Sequence, residues 1–493
     1  MQRTVTFLAV AVMLTTVAFG QSSRQERTYA LLKERYEKAY QDFAAQMQTL
    51  AAGCEQLSFL SDAERIRQHA RPVESGAYDI DNLPDEVLPE IPPTLPDAER
   101  GWRVQLQKLQ ADYAMELYKL SRDALRTHPS LAFTIVREVA FRDPNHEQAR
   151  KLLGYVRDGD RWTTPYVLRQ ERRGYVDHPQ FGWINDRYVD RYENGERLYN
   201  GKWISQEQEA AFRRNFQNAW EVESEHFFVR TNHSLEKGVD ITRQLEIFHR
   251  YFVREFAAMF NTPQQMRKLF NVSTRSDKLD VIFFKNREEF IAALKQRQPG
   301  IEIANGLYMP SDRCAYFFFD ENVNNTETMF HEVTHQILSE SSSAHINDLG
   351  KDANFWLVEG IACYMESAYI EDGKVLVGDP THERIHGAKH YLIQDNFYVP
   401  LSQLTAMGQQ AFQGAKDIAT LQRLYAQSTA MAHFFLHYED GIYRDDFIQH
   451  MAAVYSPSAN VRKQAPSIES LTGVPFPTLD QQYRSYVTHL ETE

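Results

Sequence analysis

Only three cysteines, Cys54, Cys314 and Cys363, occur in 493 residues. That is too few for a disulfide scaffold, and an odd number for an exported chain. One disulfide stays open, with the pair undetermined, against three buried thiols as the competing reading. Long runs of one charge sign are also absent, and the formal net charge is -13. Such a mild acidic excess favours solubility and argues against nucleic acid or an anionic membrane as the main partner. Beyond the first twenty residues no stretch is long and apolar enough to cross a bilayer.

What is present is an ordinary globular composition, 43% hydrophobic and 25% charged. The length allows about two to four domains with cores of their own. The N-terminus carries an address. Arg3 supplies positive charge, Val5 to Phe19 is apolar apart from three threonines, and Ala18-Phe19-Gly20 places small residues at a cleavage site. The expectation is a signal peptide over 1–20 and export to the periplasm or extracellular medium. No cysteine stands at the cleavage point, which argues against a lipoprotein anchor.

Residues 21–71 read as a helical segment, with Leu31, Leu32, Tyr36 and Tyr40 at helical spacing. Residues 72–98 hold six prolines among acids, which predicts an extended, mobile linker. A helical module follows over 99–156. Breaks fall at His128-Pro129 and Arg142-Asp143-Pro144-Asn145. Its last part resembles a tetratricopeptide-type hairpin, but only one such unit is visible, short of the three an array needs. Residues 157–220 are rich in aromatics and glycine, predicting a connector of short strands or hairpins whose aromatics form local core. From 221 to 493, strand candidates such as Leu279 to Phe284 give way to helices, so an α+β unit is expected.

The chemistry concentrates in that last unit. His331-Glu332-Val333-Thr334-His335 lies in a helical pattern opened by Asn325-Thr326-Glu327. Histidines four apart share a helix face and can bind one Zn²⁺, with Glu332 placed to take a proton from water. A second element begins after 18 intervening residues: Asn354-Phe355-Trp356-Leu357-Val358-Glu359-Gly360-Ile361-Ala362. Glu359 stands near the start of that helix and completes a His-His-Glu set, which leaves a fourth zinc position open.

These two elements resemble the gluzincin clan of metallopeptidases, the thermolysin and aminopeptidase type. They are similar more closely to a family of exported bacterial proteins that carry a gluzincin, peptidase MA-like domain. The resemblance covers about residues 220 to 455 and is strongest over 327–366. It implies a thermolysin-like domain: a small sheet, the H-E-x-x-H helix and a helical C-terminal subdomain. It also implies one catalytic Zn²⁺ held by His331, His335 and Glu359, with Glu332 as general base. The 23 residues between His335 and Glu359 exceed the spacing of the best-known members. The segment from Tyr425 to Leu436 is similar to the tyrosine-bearing helix of aminopeptidase-like members, which makes Tyr425 the oxyanion candidate, with His433 as a substitute. Glu366 is the candidate that orients a ligand histidine.

The reaction implied is hydrolysis of peptide bonds in a peptide or protein substrate. The alternative is a catalytically inert zinc-binding protein, or a scaffold acting through its N-terminal helical module on a protein partner. Glu332 separates them, because an inert site has no use for a general base. The His382, His386 and His390 row could line a cleft or hold a metal, against a solvated helix face.

Overall fold

The computed structural model describes residues 24–73, 83–261, 278–322, 325–341, 346 and 348–491. The expected signal segment lies outside the described residues. The chain is α+β: among the described residues, helices at both ends accompany a small mixed sheet and four short hairpins, three between the N-terminal helices and the sheet and one, Tyr369–Glu371 with Lys374–Leu376, in the C-terminal part.

The N-terminal helices are Arg24–Gln56, Leu60–His69, Asp97–Ala124, Pro129–Arg142 and Glu147–Leu152. Their apolar stripes meet in one core containing Phe43, Met47, Leu117, Phe133 and Val136, and Phe43 stacks on Tyr113 at 4.2 Å. Pro129 opens its helix at a position where the missing N–H costs nothing. A buried ion pair crosses this core: Arg142 donates to Glu138 at 3.1 Å, and the Tyr36 hydroxyl donates to the same carboxylate at 2.6 Å.

Of the proline-rich linker expected over 72–98, residues 74–82 lie outside the described residues. Its described part is docked on its neighbours. The Val87 N–H donates to the Asp160 carbonyl at 2.9 Å, Glu86 bridges Arg161, and the Arg150 guanidinium donates to the Pro84 carbonyl at 2.8 Å. A chain rich in proline has free carbonyls, and the buried Arg150 takes one of them.

Residues 154–213 form hairpins as expected, but in a repeat that the sequence reading missed. The units are Val156–Asp158 with Arg161–Thr163, Tyr175–His178 with Gly182–Asn185, and Glu196–Tyr199 with Lys202–Ser205, each followed by a short helix. Gly154, Gly174 and Gly195 enter the units at positive φ, 88°, 77° and 81°. Trp162, Trp183 and Trp203 stand on the second strands, and Thr164, Asn185 and Ser205 cap the helices that follow. Rings couple neighbouring units: Tyr166 meets Trp183 edge-on at 5.7 Å, and Tyr188 meets Trp203 at 5.2 Å. A hairpin alone cannot bury its apolar face, so each unit leans on the next.

The central sheet has five strands in the order Gly306–Met309, Cys314–Phe318, Leu279–Phe284, Phe227–Thr231, Trp220–Glu223. The inner three run parallel and the two edges antiparallel. Both faces are covered, which is why Leu279 to Phe284 is almost continuously apolar. Val281 and Phe283 face the core shared with helices Leu235–Glu255 and Asn325–Glu340. Ile282 and Phe284 face a smaller core built on Phe290 and Leu294 of helix Arg287–Leu294. The period of two sends alternate side chains to opposite faces.

The C-terminal part is helical. Helices Phe355–Glu366 and Ile418–His437 pack tightly at Gly360, where a Cβ would stand 2.6 Å from the Ser428 carbonyl oxygen. Only glycine permits that approach. It follows Glu359 directly, so the packing of two helices fixes the height of the candidate ligand. Cys54, Cys314 and Cys363 are all buried free thiols, which decides the disulfide question left by the sequence.

Candidate metal centre

The helix Asn325–Glu340 buries Met329, Phe330, Val333, Ile337 and Leu338 against the sheet. His331 and His335 lie one turn apart and off that apolar face, with mostly covered side chains. Their Nε2 atoms are 3.1 Å from each other. The helix Phe355–Glu366 starts after Asn354, which adopts the left-handed conformation at φ 59°. Trp356 anchors it, fully buried among Phe435, Phe447 and His450. One turn further on, Glu359 Oε2 reaches 3.8 Å from His331 Nε2 and 3.9 Å from His335 Nε2.

Those three separations test whether a metal fits. A circle through three atoms so spaced has a radius of about 2.1 Å, the length of a Zn–N or Zn–O bond. Two imidazoles and one carboxylate form a donor set suited to a borderline divalent ion. Electrostatics agrees with the distances. Burial pushes the Glu359 carboxyl up to about 7, the charges of Glu332 and Glu366 push the same way, and His331 opposes them. Burial also drives His335 well down, helped by the charge of His331. A buried cluster of carboxylates around two imidazoles is organised to receive positive charge.

Glu366 ends the same helix and holds His331 from behind. His331 Nδ1 lies 2.7 Å from Glu366 Oε1, which leaves Nε2 bare toward His335 and Glu359. The Arg384 guanidinium grips both oxygens of Glu366, Nη2 donating at 3.0 Å and Nε to the other oxygen. Burial would raise the Glu366 carboxyl, but the bonds and charges of His331 and Arg384 outweigh it and hold it at about 2. Cys363 Sγ sits 3.9 Å from His331 Nδ1, behind the imidazole rather than among the ligand atoms.

Glu332 points to the sheet edge. Its Oε2 accepts a hydrogen bond from the Tyr308 N–H at 2.7 Å, on edge strand Gly306–Met309. Burial raises the pKa of its carboxyl. The same edge is tied to the far end of the histidine helix: the Tyr308 hydroxyl and Arg313 both donate to Glu340, at 3.0 and 2.8 Å. A cavity of about 580 Å³ lies beside Glu366 and is lined also by Thr326, Glu327, Tyr369 and His382.

Tyr425 lies on helix Ile418–His437, its ring 5.6 Å beneath the Arg384 guanidinium and edge-on to Phe412 at 5.3 Å. Burial raises its hydroxyl pKa, and the charge of Glu359 adds to the rise. His433 does not serve as a substitute. Its Nε2 is 2.9 Å from the Gly378 carbonyl and its Nδ1 is 2.7 Å from the Tyr486 hydroxyl, so both nitrogens are occupied. The histidine row is divided: His382 lines the cavity, whereas His386 and His390 are exposed. Among the described residues no metal-sized group contains any of the three.

Three participants carried no motif. Arg384 and Tyr308 come from distant segments and are brought in by the fold. Tyr455 is the third: its hydroxyl is buried without a hydrogen-bond partner among the described residues and feels the charge of Glu359. No protein-family model matches the chain, and no curated protein matches it.

Proposed function

We propose that the chain is an exported zinc-dependent peptidase whose catalytic unit is of the gluzincin type. The observation that carries this reading is the His331, His335 and Glu359 triangle, sized for one zinc, with Glu332 on the same helix as the two histidines. The N-terminal address read from the sequence supports the periplasm or the extracellular medium as its place.

Bound by the triangle, zinc would supply a Lewis acid that polarises a peptide carbonyl and acidifies water. The chain's own residues do the rest. Glu332, held by the Tyr308 N–H, accepts the water proton and returns it to the leaving amine. Its raised pKa suits both halves of that exchange, since a carboxylate too acidic would take the proton poorly. Glu366 and Arg384 keep the His331 ring turned so that Nε2 faces the metal position. Tyr425 is the group assigned to the oxyanion, where a preorganised donor contributes most in a site shielded from water. The substrate is a peptide or protein chain, and the cavity beside Glu366 offers space for residues flanking the cleaved bond.

The test is metal analysis of purified wild type and of His335→Ala. Wild type is expected to hold about one zinc equivalent more than the variant and to hydrolyse peptides, while the variant does not. Equal metal content in the two would remove the triangle as the binding site.

A further inference from the structure

A second group of metal-binding side chains stands apart from the triangle. His226 immediately precedes strand Phe227–Thr231, and Glu246 and His249 lie one turn apart on helix Leu235–Glu255. One donor atom from each lies within 4.8 Å of the others. The Glu246 carboxylate is fixed twice by one residue: Oε1 accepts from the His226 backbone N–H at 2.6 Å, and Oε2 lies 2.8 Å from His226 Nδ1. The His226 and His249 rings stack at 4.1 Å. The His226 ring is nonetheless about one quarter exposed, so solvent reaches the group.

His249 is the informative member. It is buried, its ring stacked on His226 and edge-on to Phe227.

We propose that His226, Glu246 and His249 form a second, non-catalytic site for a borderline divalent cation, zinc in the first instance. Two imidazoles and a carboxylate favour zinc, copper or nickel over calcium or magnesium. The site clamps the start of a central strand to the helix beside it. Phe248, adjacent to His249, stacks on Phe330 at 4.2 Å, and Phe330 precedes His331. An ion here would therefore stiffen the support behind the histidine helix.

The experiment is equilibrium dialysis of metal-stripped full-length protein against micromolar zinc, with bound metal counted by mass spectrometry. Four proteins are compared: wild type, His335→Ala, His226→Gln and His249→Phe, the last keeping a ring in the stack. Wild type is expected to take up about two equivalents and each variant about one. His226→Gln and His249→Phe are expected to keep peptidase activity. In His335→Ala, added zinc is expected to raise the unfolding temperature, because only the second site remains to bind it. The proposal is overturned if wild type takes up a single equivalent. It is equally overturned if His226→Gln, folded by circular dichroism, still takes up as much zinc as wild type. Should His249→Phe fail to fold, His226→Gln decides alone. Loss of zinc from His335→Ala but not from His226→Gln would leave the peptidase reading intact and remove only this one.

Discussion

His331 Nδ1 lies 2.7 Å from Glu366 Oε1, and the two residues come from different helices 35 positions apart in the chain. The contact occupies Nδ1 and leaves His331 Nε2 facing His335 and Glu359. It also gives Glu366 a measurable role. Replacing Glu366 by Gln is expected to weaken zinc binding about 10- to 100-fold, the usual effect of losing a carboxylate behind a ligand histidine. Competition against a chromogenic chelator reads the change. Zinc affinity equal to wild type would show that the contact does not orient the ring.

Gly360 makes a second prediction. Its missing side chain lets helix Phe355–Glu366 approach Ser428, whose carbonyl oxygen would lie 2.6 Å from an added Cβ. Gly360→Ala is expected to cost roughly 1–3 kcal/mol of stability, as overpacking does. It should also lower activity, because Glu359 moves with its helix. Urea unfolding followed by circular dichroism gives the first quantity, and a midpoint equal to wild type would contradict the close packing.

Tyr425→Phe separates chemistry from packing. The ring stays in place against Arg384 and Phe412, and only the hydroxyl is lost. Zinc content and stability should be unchanged, while kcat falls by about 10²- to 10³-fold with little change in KM. Undiminished kcat would assign Tyr425 to the core alone.

Stability should depend on pH through His433. Burial pushes its pKa down to about 4, and both nitrogens are engaged in the neutral form. An unfolded histidine titrates near pH 6.5. The unfolded chain therefore takes up the proton first as pH falls. The stability this neutral ring contributes is complete above about pH 6.5 and is lost progressively toward about pH 4. Buried His249 and His450 shift in the same direction. Urea midpoints at pH 7 and pH 5 are expected to differ less in His433→Gln than in wild type. Equal differences would mean that His433 titrates normally in the folded protein.

The sequence made the triangle legible because helical periodicity alone puts His331 and His335 on one face, and because Glu359 stands in a strongly apolar helix whose one charged face must point somewhere. Glu366 was reachable by the same counting, two turns beyond Glu359. Arg384 and Tyr308 were not, since each enters through tertiary packing that no local pattern encodes. The helix breaks at Pro129 and Asp143 were marked by proline and turn residues. The three hairpin units escaped notice because their shared positions are few: a glycine, a tryptophan and a capping residue at intervals of 20 or 21, set in otherwise unlike sequence. The docking of residues 83–98 was not legible because proline content reports the absence of regular structure, and does not report whether an extended chain finds carbonyl partners on a neighbouring surface.

The most direct measurement is peptide hydrolysis by Glu332→Gln with zinc counted in the same sample. The account predicts the zinc content of wild type together with a loss of about 10²- to 10⁴-fold in kcat, the contribution of a positioned general base. Hydrolysis at the wild-type rate by the zinc-loaded variant, or a wild-type protein without zinc, would contradict it.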